Sequence, residues 1–375
     1  MRNTIFPLLL IGIISCTSSP QGSTGDVSLQ DSLSTDTTHR LTLLFAGDLM
    51  QHITQIEAAA CADGSYDYTD CFRYIEHEIQ QADMAFANLE VTLGGRPYRG
   101  YPCFSAPDEY LWAIRHAGFD GLLTANNHSM DRGRRGLVRT IQMIDSLQMH
   151  HVGTYVDTIA RQQLYPLILE KKGIKVAILN YTYDTNGIPV DSPSIVNLIQ
   201  REVMAKDIQK ARSLQPDAII ACMHWGDEYT LTPNRQQRDL ADWLLQQGVT
   251  HVIGGHPHVV QPLEVRTDSI TGGRHLVAYS LGNLLSNMSR QDTDGGLLLR
   301  LTLEKDSTTR LADCAYSLVW VTRPVVSGHK VHRLYPAANP PDSLNEEERM
   351  LLEKFTHSAR ELFKKENQGI REYTF

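Results

Sequence analysis

Seven side chains in five short stretches carry the donor chemistry of a metal site. They are Asp48 in Phe-Ala-Gly-Asp, Glu90 in Asn-Leu-Glu, Asn127 and His128 in Asn-Asn-His, His224 in His-Trp-Gly, and His256 and His258 in Gly-Gly-His-Pro-His. Carboxylate, amide and imidazole donors together suit divalent cations such as Mn2+, Mg2+ or Zn2+. Each stretch directly follows a short apolar run. In open α/β sheets the carboxyl ends of buried strands are where ligands gather, so these residues could share one binuclear pocket.

The motifs differ in what they say alone. Gly47-Asp48 allows a sharp turn with a projecting carboxylate, but an isolated Asp48 is equally a turn or helix cap. Asn88 and Glu90, two positions apart, fall on one face of a strand. Glu90 could bridge two cations, or simply be a solvated strand end. Asn126-Asn127-His128 offers an amide oxygen that coordinates without adding charge, next to an imidazole able to donate a proton or hydrogen bond to a developing oxyanion. Its plain alternative is an Asn-rich turn. Asp131 is expected to cap the following helix, with orientation of His128 as a secondary role. His224 could be a satisfied core histidine, were it not followed by Asp227 and Glu228. Gly254-Gly255-His256-Pro257-His258 is the most specific stretch, since two histidines separated by a rigid proline can point from one extended segment.

Those residues require a scaffold of strands and helices in alternation. Buried strands are expected at 41–46, 84–87, 121–125, 175–181, 218–223, 251–254 and 276–281. Helices are expected at 108–117, 136–147, 194–214 and 235–247, with Gly118 and Gly248 as stops. The alternation predicts an α/β fold. From about Gly295 the pattern changes to alternating strands at 297–303 and 314–323, then a charged helix from Ser343 to about Lys365.

The 375 residues carry a net charge of -8, with 42% hydrophobic and 21% charged residues, enough for a large core. No basic field suggests nucleic acid as a partner. A short cationic start and an apolar run end in Ile13-Ile14-Ser15-Cys16, which resembles a lipobox. Residues 1–15 are thus expected to be a lipoprotein signal peptide, with Cys16 acylated and residues 16–39 a polar tether from the membrane. An exported location permits disulfides, and a bond between two of Cys61, Cys71 and Cys103 is expected, without a choice of pair. Cys222, in Ala-Ile-Ile-Ala-Cys, is expected to be a buried thiol.

Taken in order, the motifs resemble the CapA family of capsule-synthesis proteins, divergent relatives of the calcineurin-like metallophosphoesterases associated with poly-γ-glutamate capsules. The resemblance runs from about Leu41 to Asn287 through the stretches above and Ser280-Leu281-Gly282-Asn283. It implies a four-layer α/β/β/α sandwich over residues 40–290, with a C-terminal strand and helix extension at 291–375. It also implies one cation on Asp48 and His258, another on Asn127, His224 and His256, and Glu90 between them. His128 would assist the leaving group or oxyanion, with Asn88, Asn126, Ser280 and Asn283 in support.

One or two divalent ions would serve a membrane-anchored, exported protein of capsule or poly-γ-glutamate biosynthesis. Such a protein would hydrolyse or transfer an amide in an acidic surface polymer, or work with the capsule machinery. A periplasmic phosphoesterase and a non-catalytic accessory of polymer export are the alternatives. Arg132, Arg134 and Arg135 could steer carboxylates or merely begin a solvated helix. One departure stands out: where the wider superfamily opens with Asp-x-His, this chain has Asp48-Leu49-Met50, and a thioether is a poor ligand for Mn2+ or Mg2+. That leaves His52 as a substitute, or a weak first site.

Overall fold

A computed structural model describes residues 38–375 except 327 and 328. The expected signal peptide at 1–15, Cys16 and nearly all of the expected tether lie outside the described residues. The body is built on two large sheets. In the first, His39–Leu49, Met84–Leu89, Gly121–Leu123 and His150–Val152 run parallel in that order. On the other side of His39–Leu49, Gly295–Lys305, Thr309–Thr322 and Arg333–Pro336 continue the sheet antiparallel. The second sheet has parallel Ile174–Thr182, Ala218–His224, His251–Gly255 and Arg274–Ala278, with Leu167–Lys171 and Leu263–Thr267 antiparallel at its edges.

Strand periodicity explains how the layers stack. Along His39–Leu49, Leu41, Leu43 and Phe45 join the core shared with the second sheet, while Leu44 and Ala46 enter a separate core beneath helices. That second core collects Ile79 from Glu76–Gln80, Tyr110, Leu111 and Ile114 from Asp108–Ala117, and Ile144 from Gly133–Ser146. On the second sheet, Met204, Ile208 and Ala211 of Arg201–Ser213 and Leu240, Ala241 and Leu244 of Arg235–Gln246 supply the helical cover. Helices, sheet, sheet, helices: the fold is a four-layer α/β/β/α sandwich.

The C-terminal region is part of this body. Gly295–Lys305 pairs along nearly the whole of His39–Leu49, and the helix Glu346–Glu366 packs Phe363 on Tyr316, with ring centroids 4.9 Å apart. Two expectations need correction. The helix expected over 194–214 begins only at Arg201, because β-branched Ile195 and Val196 pair with Thr154–Tyr155 instead. Cys61, Cys71 and Cys103 are all free: Cys61 is exposed, whereas Cys71 is buried among apolar side chains, which pushes its thiol up to about 12. Cys222 is the buried core thiol expected.

Candidate metal centre

All the singled-out residues arrive at carboxyl ends of parallel strands, where the two sheets converge. Asp48 is the penultimate residue of His39–Leu49; Glu90 follows Met84–Leu89; Asn127 and His128 lie in the turn after Gly121–Leu123. His224 ends its strand, His256 and His258 follow His251–Gly255, and Asn283 begins the short strand beyond Arg274–Ala278. The turn expected at Gly47 is instead an irregularity within the strand, where the register shifts between Ala46 and Asp48, and it needs glycine: a Cβ there would lie 1.9 Å from the carbonyl oxygen of Gly282, which accepts the Asp48 N–H.

Two overlapping donor sets result, each with ligand atoms within 4.8 Å of one another: Asp48, Glu90 and His258, and Glu90, His224 and His256. Asn127 joins the second set, its Oδ1 lying 3.0 Å from His224 Nε2. Glu90 belongs to both, with Oε1 3.6 Å from His224 Nε2 and 3.8 Å from His258 Nε2. All six side chains are buried.

The surroundings fit a cation better than an empty polar core. Glu90 Oε1 and His256 Nδ1 are buried without a hydrogen-bond partner, which is costly unless something positive completes them. Burial, then the neighbouring Asp48 charge, holds the Glu90 carboxyl well above its usual range. Burial likewise holds His224 well below the ordinary imidazole value and His256 at about 3, with the other histidines adding to the effect. Neutral imidazoles are the coordinating form.

A second layer of contacts sets the donors' orientation. Asn88 Nδ2 donates to Asp48 Oδ1 at 2.8 Å and lies 3.3 Å from both Glu90 Oε2 and His224 Nδ1. Asn126 Nδ2 in turn donates to Asn88 Oδ1 and to the Leu89 carbonyl. His258 Nδ1 is 3.0 Å from Asn283 Oδ1, and Ser280 Oγ donates to Val259 O while accepting the Gly282 N–H. Asn283 therefore touches a site histidine, a more direct role than turn support. Such partners fix imidazole orientation in metal proteins.

Several local expectations change. His256 and His258 do not project from an extended segment: their φ angles are +98° and +59°, so the chain turns tightly about Pro257. Non-glycine residues in that region store strain, which their surroundings must hold. Asp131 does not cap Gly133–Ser146, whose N-cap Arg132 makes no side-chain capping bond. Instead Asp131 Oδ2 accepts from His128 Nδ1 at 2.8 Å and from the Phe104 N–H at 2.7 Å. That fixes the His128 tautomer and leaves its Nε2 for chemistry. Asp48 is a buried acceptor within the pocket, not a cap. His52 belongs to neither donor set; it forms the capping box of Ile53–Ala59 with Gln55. Arg134 and Arg135 are exposed at a helix start, and Arg132 is half-buried.

Residues not singled out beforehand complete the mouth. Glu228 can place a carboxylate oxygen within 4.8 Å of His256 and His258 nitrogens from the solvent side. Asn186 Oδ1 receives Asn127 Nδ2 at 3.3 Å. Tyr183 is 45% exposed with its ring centroid 4.6 Å from that of His256, and Tyr229 lies 6.1 Å from His258. Beside Tyr183 opens a groove of about 540 Å³, lined by Ile199, Arg201, Trp225, Asp227 and Gln237. The one signal in the sequence was the acidic pair after His224; nothing marked the tyrosines.

The chain is 26% identical over 316 residues to the capsule biosynthesis protein CapA of Bacillus anthracis, covering 79% of this chain and 72% of that one. Against the PGA biosynthesis protein CapA of Bacillus subtilis it is 25% identical over 323 residues, covering 82% and 76%. Among solved structures it is similar to a 5'-nucleotidase of Candida albicans, with a TM-score of 0.40 and 13% identity, covering 86% of this chain and 58% of that one. The model of the family described as bacterial capsule synthesis protein PGA_cap matches residues 42–288, and the chain belongs to that family.

Proposed function

We propose that this protein is a metal-dependent hydrolase or transferase of capsule or poly-γ-glutamate biosynthesis, acting on an amide in an acidic polymer. The observation that carries the reading is the shared position of Glu90, a buried, partnerless carboxylate oxygen facing histidines from two donor sets. Asp48, Glu90 and His258 would hold one divalent ion, and Glu90, Asn127, His224 and His256 a second. Mn2+, Mg2+ and Zn2+ all suit these donors. Such ions, when bound, supply an acidified water at neutral pH and stabilise developing charge.

The chain's own groups then divide the work. Asn88 and Asn283 hold Asp48 and His258 in register. Asp131 keeps the proton on His128 Nδ1, so Nε2 is the atom that meets the substrate, donating a hydrogen bond or proton toward the leaving side when protonated. Tyr183, Tyr229 and Phe104 wall the approach; the Phe104 ring centroid is 4.6 Å from that of His128.

Lipidation of Cys16, with the segment to about residue 39 as a tether, would place the body at the outer side of a membrane. Among the described residues no helix is long and apolar enough to cross one. The test is incubation of metal-loaded protein with γ-linked glutamyl polymer and, separately, with a chromogenic phosphodiester. Chain shortening or transfer that stops with chelator and returns with Mn2+ or Zn2+ supports the reading. Turnover of the phosphodiester alone makes the protein a phosphoesterase. No metal-dependent turnover on either favours an accessory role, the role carried in the name of a Mycobacterium tuberculosis relative, "Probable polyglutamine synthesis accessory protein", 25% identical over 203 residues.

A further inference from the structure

Arg290 stands at the rim of the centre with its guanidinium carbon 4.3 Å from the centre of the Tyr229 ring. It is exposed, and among the described residues no carboxylate lies within ion-pair distance of it. Arginines elsewhere in the fold that do have such partners include Arg139 with Asp108, Arg161 with Asp207 and Arg266 with Glu264. The Tyr229 beneath it is held firmly. Its N–H donates to Pro257 O at 2.8 Å, between the two site histidines, and its φ of +63° is a rare conformation for a bulky residue.

The segment bearing Arg290 is pinned from below as well. Arg323 Nε donates to Asn287 Oδ1 at 3.1 Å, and its guanidinium also bonds the Met288 carbonyl. Asn283, the residue that meets His258, donates to the Thr293 carbonyl at 2.8 Å, and Thr293 caps back onto Arg290 O. A cation is thus carried on an aromatic face over a strained turn, next to a pocket whose carboxyl groups include Asp48, Glu90 and Glu228. A guanidinium on an aromatic ring keeps its outer N–H edge free for bidentate contact with an oxyanion.

We propose that Arg290, seated on Tyr229, is the specificity-determining residue of the site, binding an anionic group of the substrate beside the bond that reacts. On the proposed function, from which this follows, that group is the free α-carboxylate of a γ-linked glutamyl unit. The same edge would accept a phosphate, so the substrates tested must separate the two.

Steady-state kinetics and direct binding by calorimetry, on metal-loaded protein at low salt, test the assignment with Arg290→Gln, Tyr229→Phe and Tyr229→Leu. Losing one charge-assisted contact should raise KM for a γ-glutamyl oligomer about tenfold, with kcat and metal content unchanged. KM for the same oligomer with its α-carboxylates amidated should not move. Tyr229→Phe, which keeps a ring under the cation, should retain the parent's discrimination between the free and the amidated oligomer, and Tyr229→Leu should lose it as Arg290→Gln does. A KM effect confined to a phosphodiester would assign the contact to phosphate. If the parent binds the oligomer without cleaving it, weaker binding by Arg290→Gln keeps the assignment while the hydrolase reading fails. Equal KM and equal affinity for parent and Arg290→Gln, or no binding of any of these anions by the parent, overturns it.

Discussion

At the scale of single residues, Glu90 and His256 should behave as one unit with the metal. Either Glu90→Ala or His256→Ala should reduce bound metal and activity together, measured by elemental analysis on the purified body; full metal content in both variants would contradict the donor assignment. Asn283→Ala acts one layer out, freeing the His258 ring it orients. Loss of such a partner typically weakens metal affinity 10- to 100-fold, which competition with a chelating dye would read. His128 is predicted to differ from all of these. His128→Ala should leave metal in place and slow kcat about 10²- to 10⁴-fold, the usual worth of a positioned acid or base. Parent-level turnover would remove that role.

At the scale of elements, most of the site-bearing strands were legible because each is a short continuous apolar run with a polar residue at its carboxyl end. Asp108–Ala117 was legible to the residue, its end marked by Gly118 in a left-handed conformation. What the sequence hid was of two kinds. Short helices such as Ile53–Ala59 and Glu76–Gln80 carry too few turns to display a period. Side-chain partners depend on distant segments: the Asp131–His128 pair was open only as a secondary role, and nothing near Asp131 announces that it will meet Phe104, or near His52 that it will cap a helix. Two element-scale predictions follow from close packing and buried charge. A Cβ on Gly254 would lie 2.0 Å from Tyr279 O and 2.6 Å from Trp225 Nε1, atoms already bonded to each other. Gly254→Ala should therefore destabilise the fold by on the order of 1–3 kcal/mol in urea unfolding and displace His256.

The second concerns His251, inside the second sheet. Its Nδ1 accepts the Leu276 N–H at 3.1 Å, and burial, with His275 nearby, holds it at about 3. The unfolded chain takes up this proton below pH 6.5 while the folded protein does not. Stability is then complete above about pH 6.5 and falls as pH drops toward 3, by up to about 1.4 kcal/mol per pH unit. Thermal unfolding of metal-free protein from pH 7 to pH 4 should show this decline, and His251→Gln should flatten it. An unchanged slope would mean the imidazole is not buried neutral.

At the scale of the whole molecule, two sheets meet so that the carboxyl ends of strands far apart in the chain share one pocket, and Gly295–Lys305 locks the first sheet from the other side. Asp48 and His258 are separated by 210 positions in the sequence, yet Asp48 Oδ2 lies 3.4 Å from His258 Nδ1. Sequence order alone could suggest that convergence only through the succession of six motifs; the spacing of any one of them was silent about it. The most direct test is an anomalous-difference map from crystals of the soluble body grown with Mn2+. Two peaks roughly 3.5–4 Å apart, with Glu90 between them and Asp48, Asn127, His224, His256 and His258 around them, are the result predicted for a binuclear centre. Full-occupancy protein with no peak among these side chains would contradict it.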